Sequence, residues 1–217
     1  MNLEQAREFM IERQVRTWEV LNPVVLEVLR SIPREDFVPG RFKNLAFADI
    51  FIPLGHGEVM MTPKLEGRVL QALDIGAQDR VLEIGCGSGF LAACLGAMAN
   101  RVLSVDLRAD FIKTAQQNIE TAGLGNVELA VQDSALLNWT DEQFDVIVIS
   151  GSMPALDESF TGHLKTGGRL FAVIGDGPMQ EAMLMTRMST SSLTSESLFD
   201  TDLPPLRNIS GRVAFQF

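Results

Sequence analysis

The chain has 217 residues, of which 46% are hydrophobic and 21% are charged, and its formal net charge is -10. That length suits one globular domain, which buries about 70% of the surface of its unfolded chain. The negative charge and the scattered lysines and arginines argue against a nucleic-acid groove, because phosphate binding needs a basic face.

The N-terminal residues lack the basic region and the apolar core of a signal peptide, and no run approaches the roughly 20 apolar residues of a membrane span. Cys86 and Cys94 are expected to be small buried core residues rather than a disulfide. The only histidines are His56 and His163, and without a Cys/His cluster we expect no metal site. The composition favours a reduced, cytoplasmic protein with no nucleic-acid or membrane partner.

The beginning of the chain is predicted to be helical. A weak helical stripe runs through residues 3–13. Asn22 and Pro23 then supply an N-cap and a first-turn proline for a second helix, which Pro33 ends.

The stretch from residue 34 to residue 61 is predicted to be irregular, because prolines and glycines interrupt it throughout. A segment of that length is unusual for a loop in a compact domain, so we expect it to be functional. Thr62 and Pro63 then begin a third helix.

A regular alternation of strands and helices follows. Residues 90–99 and 109–123 have the length and apolar spacing of helices, and they separate the first strands. The predicted strands are apolar throughout and lie at residues 80–85, 101–106, 126–131, 144–150 and 168–175. This pattern predicts an α/β fold with a doubly wound, mostly parallel, Rossmann-like sheet and an N-terminal helical extension.

The organisation predicts a single domain over residues 1–217, with N-terminal helices and a substrate-side loop in 1–79 and a cofactor-binding core in 80–217. Within the core, four methionines are interpreted as a helical stripe that fills the interior: Met179, Met183, Met185 and Met188. Residues 192–203 and 209–217 are predicted to form one or two closing strands, including an antiparallel edge.

The most specific motif is residues 83–90, which read Glu-Ile-Gly-Cys-Gly-Ser-Gly-Phe and lie where the first core strand turns into a helix. Glycines permit a tight turn and close approach of a ligand, and the helix N-terminus offers free N–H donors. A dinucleotide fingerprint needs a third glycine at the position of Phe90. NAD is therefore the runner-up cofactor.

This string resembles the first motif of class I S-adenosylmethionine-dependent methyltransferases. The resemblance implies that Glu83 faces the methionyl amine, Asp106 accepts the ribose hydroxyls and Asp133 meets the adenine amino group. All three acids follow or end strands, and ligands of open α/β sheets bind at that edge. The implied S-adenosylmethionine-binding residues are Glu83, Gly85, Gly87, Gly89, Asp106, Leu107, Asp133 and Ser134.

Other segments resemble one branch of that superfamily, the protein-L-isoaspartate O-methyltransferases. Residues 32–39, 46–65 and 164–175 are similar to signature segments of the family, and residues 202–208 are a looser match. The resemblance implies methylation of the free carboxyl of L-isoaspartyl residues, with a damaged protein or peptide as the partner.

The substrate-side loop departs from the family pattern. Where the family has Thr-Ile-Ser, this chain has Val59, Met60 and Met61, and Met61 has no hydroxyl to donate a hydrogen bond. Loss of one donor is expected to raise the barrier by about 2–4 kcal/mol, and restoring serine at position 61 to raise kcat/KM about ten- to a hundredfold. Thr62 and Lys64, the latter at the position of a family histidine, are the nearest candidates for a catalytic role.

Simpler roles for these residues stay open. Thr62 is also a helix N-cap candidate, Lys64 a solvated first-turn residue, and His56 a candidate pocket residue between two glycines. Two other functions stay open as well: a methyltransferase with the same cofactor and another substrate, and a cofactor-binding protein without methyl transfer.

Overall fold

A computed structural model describes residues 2–133, 142–177 and 179–209 of the chain. The N-terminal helices are α1 (Leu3–Met10), α2 (Pro23–Ser31) and α3 (Pro63–Leu73), and a π-helical turn (Ile11–Val15) continues α1. The predicted caps are confirmed, because the Asn22 side chain accepts a hydrogen bond from the Val24 backbone N–H at 2.9 Å. Thr62 accepts one from the Leu65 N–H at 3.4 Å.

The segment between α2 and α3 is more regular than its sequence predicts. It contains two 3₁₀ turns, Arg34–Asp36 and Gly40–Leu45, and an antiparallel hairpin of β1 (Ile52–Gly55) and β2 (Glu58–Met60). Strands of four and three residues are too short to show an alternating pattern. For that reason the hairpin escaped the sequence prediction.

A seven-stranded sheet forms the core, in the order β5-β4-β3-β6-β7-β8-β9. The first five strands are parallel, whereas β8 and β9 are antiparallel to their neighbours. The strands are β3 (Arg80–Ile84), β4 (Arg101–Asp106), β5 (Val127–Val131), β6 (Phe144–Met153), β7 (Leu164–Asp176), β8 (Met179–Ser189) and β9 (Ser192–Thr201). The predicted doubly wound, mostly parallel α/β sheet is confirmed.

The helices α4 (Phe90–Met98), α5 (Ala109–Thr121) and α6 (Glu158–Gly162) connect these strands. Helix α4 is apolar on all sides because it packs between the sheet and the N-terminal helices α2 and α3. Cys86 and Cys94 are free and buried in this interior, as predicted.

The predicted methionine helix is wrong, because residues 179–189 form strand β8. Met185 is buried, but Met179 is 83% exposed and Met188 58% exposed, so the stripe does not fill the core. The antiparallel edge is confirmed in β9. The last predicted strand, residues 209–217, lies outside the described residues from position 210 onward.

The sheet order determines where a ligand can bind. Strands β3 and β6 lie at the centre, and β4 and β5 follow β3 on one side. Their carboxyl ends meet at one edge, and after β3, β4 and β6 the chain crosses from there to α4, α5 and α6. This edge is the usual ligand position in open α/β sheets.

Candidate functional site

A cleft of about 90 Å³ lies at the carboxyl ends of β3, β4, β5 and β6. Its floor comes from the turns that follow these strands, and its walls from the β1–β2 hairpin and the segment of residues 203–207. Its lining includes Leu54, Glu58, Val59, Gly85, Gly87, Asp106, Leu107, Arg108, Asp133, Ser150 and Arg207. Sequence elements 150 residues apart therefore converge on one site.

The glycine loop after β3 has a backbone that only glycine adopts easily. Gly85, Gly87 and Gly89 have φ angles of +96°, +53° and +83°. A Cβ on Gly87 would lie 3.0 Å from the Leu54 Cδ1, and a Cβ on Gly85 would lie 3.3 Å from the Ser150 Cβ. The three glycines thus keep the loop tight against its neighbours. Its backbone is also held by hydrogen bonds, because the Gly85 N–H donates to the Val105 carbonyl and the Gly89 N–H to the Cys86 carbonyl, both at 2.9 Å.

Asp106 ends β4 and lines the cleft, as predicted. Its Oδ2 accepts a hydrogen bond from the Gly87 N–H at 2.9 Å, and its Oδ1 accepts one from the Arg108 N–H at 2.9 Å. Burial raises the pKa of Asp106 above its ordinary value, although both backbone hydrogen bonds oppose that shift. Each oxygen keeps a further lone pair, so the carboxylate can accept hydrogen bonds from a ligand while it orders the loop.

Glu83 lies in the floor behind the glycine loop rather than on the cleft surface. The residue is 0% exposed, and its Oε2 accepts a hydrogen bond from the Ser104 hydroxyl. Among the described residues, its other oxygen Oε1 is buried without a hydrogen-bond partner. Burial raises the pKa of Glu83 from 4.5 to about 8, with smaller upward effects from Asp106 and Glu66 and a downward effect from the Ser104 hydrogen bond.

Asp133 follows β5 and lines the far end of the cleft. Its Oδ2 accepts a hydrogen bond from the Asn208 side-chain amide at 2.8 Å. Leu107 lines the cleft beside Asp106 and is 41% exposed. Ser134, the remaining predicted cofactor residue, lies outside the described residues.

Two polar contacts hold the outer walls of the cleft in place. At the tip of the hairpin, His56 has a φ of +55°, and its Nε2 lies 2.8 Å from the Asp110 Oδ2 on α5. Arg207 donates from Nε to the Glu58 Oε1 at 2.8 Å. His56 therefore braces the hairpin from outside and does not line the cleft.

Met61 is 7% exposed and belongs to the hydrophobic core rather than to the wall of the cleft. Its carbonyl accepts a hydrogen bond from the Arg34 Nη2 at 2.6 Å. The fully buried Arg34 also donates to the Ala46 carbonyl at 2.8 Å and pairs with Glu66. Residue 61 thus faces the interior, and Val59 is the loop residue at the cleft.

Thr62 and Lys64 also lie away from this cleft. Thr62 is buried and caps α3, as its alternative interpretation predicts. The Lys64 Nζ lies 2.7 Å from the Asp49 Oδ2 and 4.0 Å from the centre of the Trp18 ring. Both residues line a separate cleft of about 290 Å³ on the outer side of α3.

Three residues of the cleft were not predicted from the sequence: Ser150, Glu58 and Arg207. Ser150 lies near the carboxyl end of a predicted strand. Ligands of open α/β sheets bind at that end, and this expectation, which selected Asp106, also applies to Ser150. The pairing of Glu58 with Arg207 joins residues 149 positions apart, and no local pattern reveals it.

Among the described residues, no three His, Cys, Asp or Glu side chains are grouped in a way that could hold a metal ion. Within the same ranges, no helix is long and apolar enough to cross a membrane.

Residues 5–207 match the family model described as Protein-L-isoaspartate(D-aspartate) O-methyltransferase (PCMT). Protein-L-isoaspartate O-methyltransferase 1 of Rhodopseudomonas palustris (strain HaA2) is 33% identical over 92% of this chain and 82% of the relative. Protein-L-isoaspartate O-methyltransferase 2 of Pelobacter propionicus is 32% identical over 97% and 94%, respectively.

A crystal structure from Plasmodium falciparum, assigned to the same activity and solved with S-adenosyl-L-homocysteine, superposes with a TM-score of 0.80. It covers 95% of this chain and 99% of the other at 18% identity, which shows the shared fold. The family match over nearly the whole length, with relatives above 30% identity, establishes that the chain belongs to the protein-L-isoaspartate(D-aspartate) O-methyltransferase family.

Proposed function

We propose that this protein transfers the methyl group of S-adenosylmethionine to the free carboxyl of L-isoaspartyl residues in damaged proteins or peptides. The observation that carries the proposal is family membership over residues 5–207, in a chain whose glycine loop and strand-end acids converge on one cleft.

The residues at the cleft fit the cofactor. The glycine loop leaves little room for Cβ atoms at Gly85 and Gly87, and without side chains there a ligand can approach the backbone closely. The buried, unpartnered Glu83 Oε1 is the kind of group that a cationic amine satisfies, directly or through a water. The proposed binding set is that of the sequence analysis: Glu83, Gly85, Gly87, Gly89, Asp106, Leu107, Asp133 and Ser134. When bound, the cofactor supplies an electrophilic methyl group on a sulfonium.

The order of the strands arranges these groups along the cleft. Asp133 follows β5, Asp106 ends β4, and Gly85 follows β3, so adenine, ribose and methionyl contacts follow one another across the sheet edge. In this proposal Asp106 accepts the ribose hydroxyls with the lone pairs that Gly87 and Arg108 leave free.

The cleft has to widen before it takes a ligand of this size. Its volume of about 90 Å³ is below the roughly 300–1,000 Å³ of typical ligand pockets. Two exposed polar contacts, Arg207 with Glu58 and Asn208 with Asp133, close its outer rim. Surface contacts of this kind contribute little stability, so outward movement of these two side chains is inexpensive, whereas hydrogen bonds to Ser152 and Gln180 hold residues 203–206 in place.

The acceptor needs positioning rather than activation. A carboxylate is ionised at neutral pH and needs no general base. The protein brings one of its oxygens into line with the methyl group and excludes water. For Thr62 and Lys64, a catalytic role requires that Thr62 leave its N-cap and Lys64 leave Asp49.

The altered loop, with Val59, Met60 and Met61 in place of the family's Thr-Ile-Ser, favours a second candidate function, methylation of another substrate with the same cofactor. Kinetics with paired peptides distinguish the two candidates. One peptide contains an L-isoaspartyl residue and the other an ordinary aspartyl residue at the same position.

We expect turnover of the isoaspartyl peptide only, and calorimetry to show one site for S-adenosylhomocysteine and none for NAD. Equal turnover of both peptides indicates a different carboxyl substrate. Cofactor binding without turnover of any methyl acceptor contradicts the enzymatic proposal.

A further inference from the structure

Ser150 lies near the carboxyl end of β6, beside the turn that begins the glycine loop. In the parallel pairing of β3 with β6, Ile149 is opposite Ile84, so Ser150 follows on one side and Gly85 on the other. A Cβ on Gly85 would lie 3.3 Å from the Ser150 Cβ. The serine side chain is therefore in close contact with the glycine loop, and it lines the cleft.

The Ser150 hydroxyl is an exception among the serines of this region. Its Oγ is buried, and within residues 2–133, 142–177 and 179–209 it has no hydrogen-bond partner. By contrast, the Ser152 hydroxyl donates to the Leu203 carbonyl at 2.9 Å, and the Ser104 hydroxyl donates to Glu83. Buried polar groups in folded proteins almost always have a partner, so this hydroxyl is suited to a ligand group.

The position of Ser150 along the cleft identifies the part of a ligand that it meets. Asp133 and Asp106 lie at the ends of β5 and β4, on the other side of β3 from Ser150. In the proposed orientation, the nucleoside occupies the β5–β4 end. Ser150 therefore lies at the end where the methionyl part of the cofactor and the methyl acceptor meet.

The charged residues of the cleft indicate which ligand group needs a neutral donor such as this hydroxyl. Three acids line the cleft, Glu58, Asp106 and Asp133. Two cations, Arg108 and Arg207, line it as well, and Arg207 pairs with Glu58. A carboxylate that enters beside these acids is repelled unless a donor compensates. A neutral hydroxyl supplies one hydrogen bond without neutralising the acids that hold the cofactor.

We propose that the Ser150 hydroxyl donates a hydrogen bond to a carboxylate at this end of the cleft and positions it beside the sulfonium methyl group. The proposal rests on the proposed function. Two carboxylates reach this place, that of the acceptor and the methionyl carboxylate of the cofactor, and the experiment below separates them.

The chemistry predicts which kinetic constant changes. A carboxylate oxygen forms a bond to the methyl carbon, the carbon–sulfur bond breaks and its electron pair stays on sulfur. The carboxylate becomes a neutral ester, the sulfonium becomes a thioether and no proton moves. Because the negative charge decreases along this path, a hydrogen bond to the carboxylate is strongest before transfer. Ser150 is thus a positioning residue, and its loss affects KM more than kcat.

The test compares Ser150→Ala and Ser150→Cys with the wild type, and uses Ser195→Ala, an exposed serine on β9, as the matched control. If the partner is the acceptor carboxylate, Ser150→Ala raises the KM for an isoaspartyl peptide about tenfold and leaves the Kd of S-adenosylhomocysteine within about twofold. If the partner is the methionyl carboxylate, that Kd rises about tenfold instead. Ser150→Cys, a weaker donor, gives an intermediate effect.

A purely structural role predicts a different result. It predicts a lower Tm for Ser150→Ala, whereas loss of an unpartnered hydroxyl leaves the Tm unchanged or raises it. Unchanged KM and Kd in Ser150→Ala overturn the proposal. If the wild type methylates no peptide, the proposed function fails, and the Ser150 proposal is then decided by calorimetry. Unchanged Kd values of Ser150→Ala for S-adenosylhomocysteine and for the peptide overturn it there too.

Discussion

The buried carboxyl of Glu83 predicts that cofactor affinity depends on pH. Burial raises its pKa to about 8 in the ligand-free protein, so about 9% of the molecules carry the ionised form at pH 7 and about 1% at pH 6. The cationic amine of S-adenosylhomocysteine favours the ionised form. The apparent Kd equals the intrinsic Kd divided by the ionised fraction. Affinity should therefore rise about tenfold from pH 6 to pH 7 and about fivefold more by pH 8.

Replacement of Glu83 by glutamine isolates this effect. The amide keeps the shape of the side chain and can still accept the Ser104 hydrogen bond, but it does not titrate. A hydrogen bond to a charged group contributes about 1.5–3 kcal/mol, and ionisation at pH 7 offsets about 1.4 kcal/mol of it. We expect Glu83→Gln to weaken binding less than about fifteenfold at pH 7 and more strongly as the pH rises.

The ligand-free protein should show the opposite trend in stability. The folded-state pKa of Glu83 lies above the ordinary value of 4.5, so the native state binds more protons than the unfolded state between pH 4.5 and pH 8. Stability then falls as the pH rises through this window. The contribution lost above pH 8 is about 5 kcal/mol at most, by the free energy of a pKa shift of this size. Glu83→Gln removes this contribution and leaves that of Glu66, whose pKa burial raises to about 7.

Calorimetry in two buffers of different ionisation enthalpy measures both the affinity and the protons released on binding. Between pH 6 and pH 7 we expect release of nearly one proton by the wild type and of none by Glu83→Gln. A Kd that does not change with pH, or the same proton release from both proteins, would refute the proposed contact between Glu83 and the amine.

Three other replacements test the remaining contacts. Asp106→Ala should weaken S-adenosylhomocysteine binding by about 1.5–3 kcal/mol in calorimetry, whereas Glu196→Ala, at an exposed acid on β9 that does not line the cleft, should change it little; equal effects contradict the assignment. Met61→Ser should lower the free energy of unfolding in urea by about 2–4 kcal/mol and leave kcat/KM within about threefold, since Met61 lies in the core; a tenfold gain in activity would place the side chain at the substrate instead. Arg34→Met should destabilise the protein by about 3–5 kcal/mol by isolating Glu66 and by removing the donor of the Ala46 and Met61 carbonyls, and the added change Glu66→Leu should recover the part that is due to Glu66; no recovery would mean that the ion pair is not a cause.

Much of the fold is encoded in local sequence. The apolar runs at β3, β4 and β6 predicted a buried parallel sheet, because each strand is covered on both faces. The pairs Asn22-Pro23 and Thr62-Pro63 predicted the starts of α2 and α3, since a cap and a first-turn proline act within one turn. The glycine loop was predictable because its glycines, too, determine the backbone within a single turn.

The β7–β8 hairpin was not predicted, because methionines three and four residues apart fit a helix and the partner strand decides the outcome. The sequence did contain a turn signal in this hairpin, the glycine at position 175. Gly175 has a φ of +135°, and a Cβ there would lie 2.2 Å from the Met179 carbonyl oxygen, which marks the close approach of two strands.

The placement of Met61 was also beyond local sequence. The expectation that serine at this position restores activity assumes that the side chain faces the substrate. Arg34, 27 residues earlier, binds the Met61 carbonyl, and the side chain packs in the core. The orientation of residue 61 depends on this tertiary contact.

The fate of the methyl group tests the central claim most directly. The protein is incubated with methyl-labelled S-adenosylmethionine and an isoaspartyl peptide, and the product is then treated with mild alkali. A carboxyl methyl ester hydrolyses under these conditions and releases labelled methanol, whereas a methyl group on nitrogen remains on the peptide. We predict labelled methanol from the isoaspartyl peptide and none from the aspartyl peptide. Alkali-stable label, or no transfer by a protein that binds the cofactor, would contradict the account.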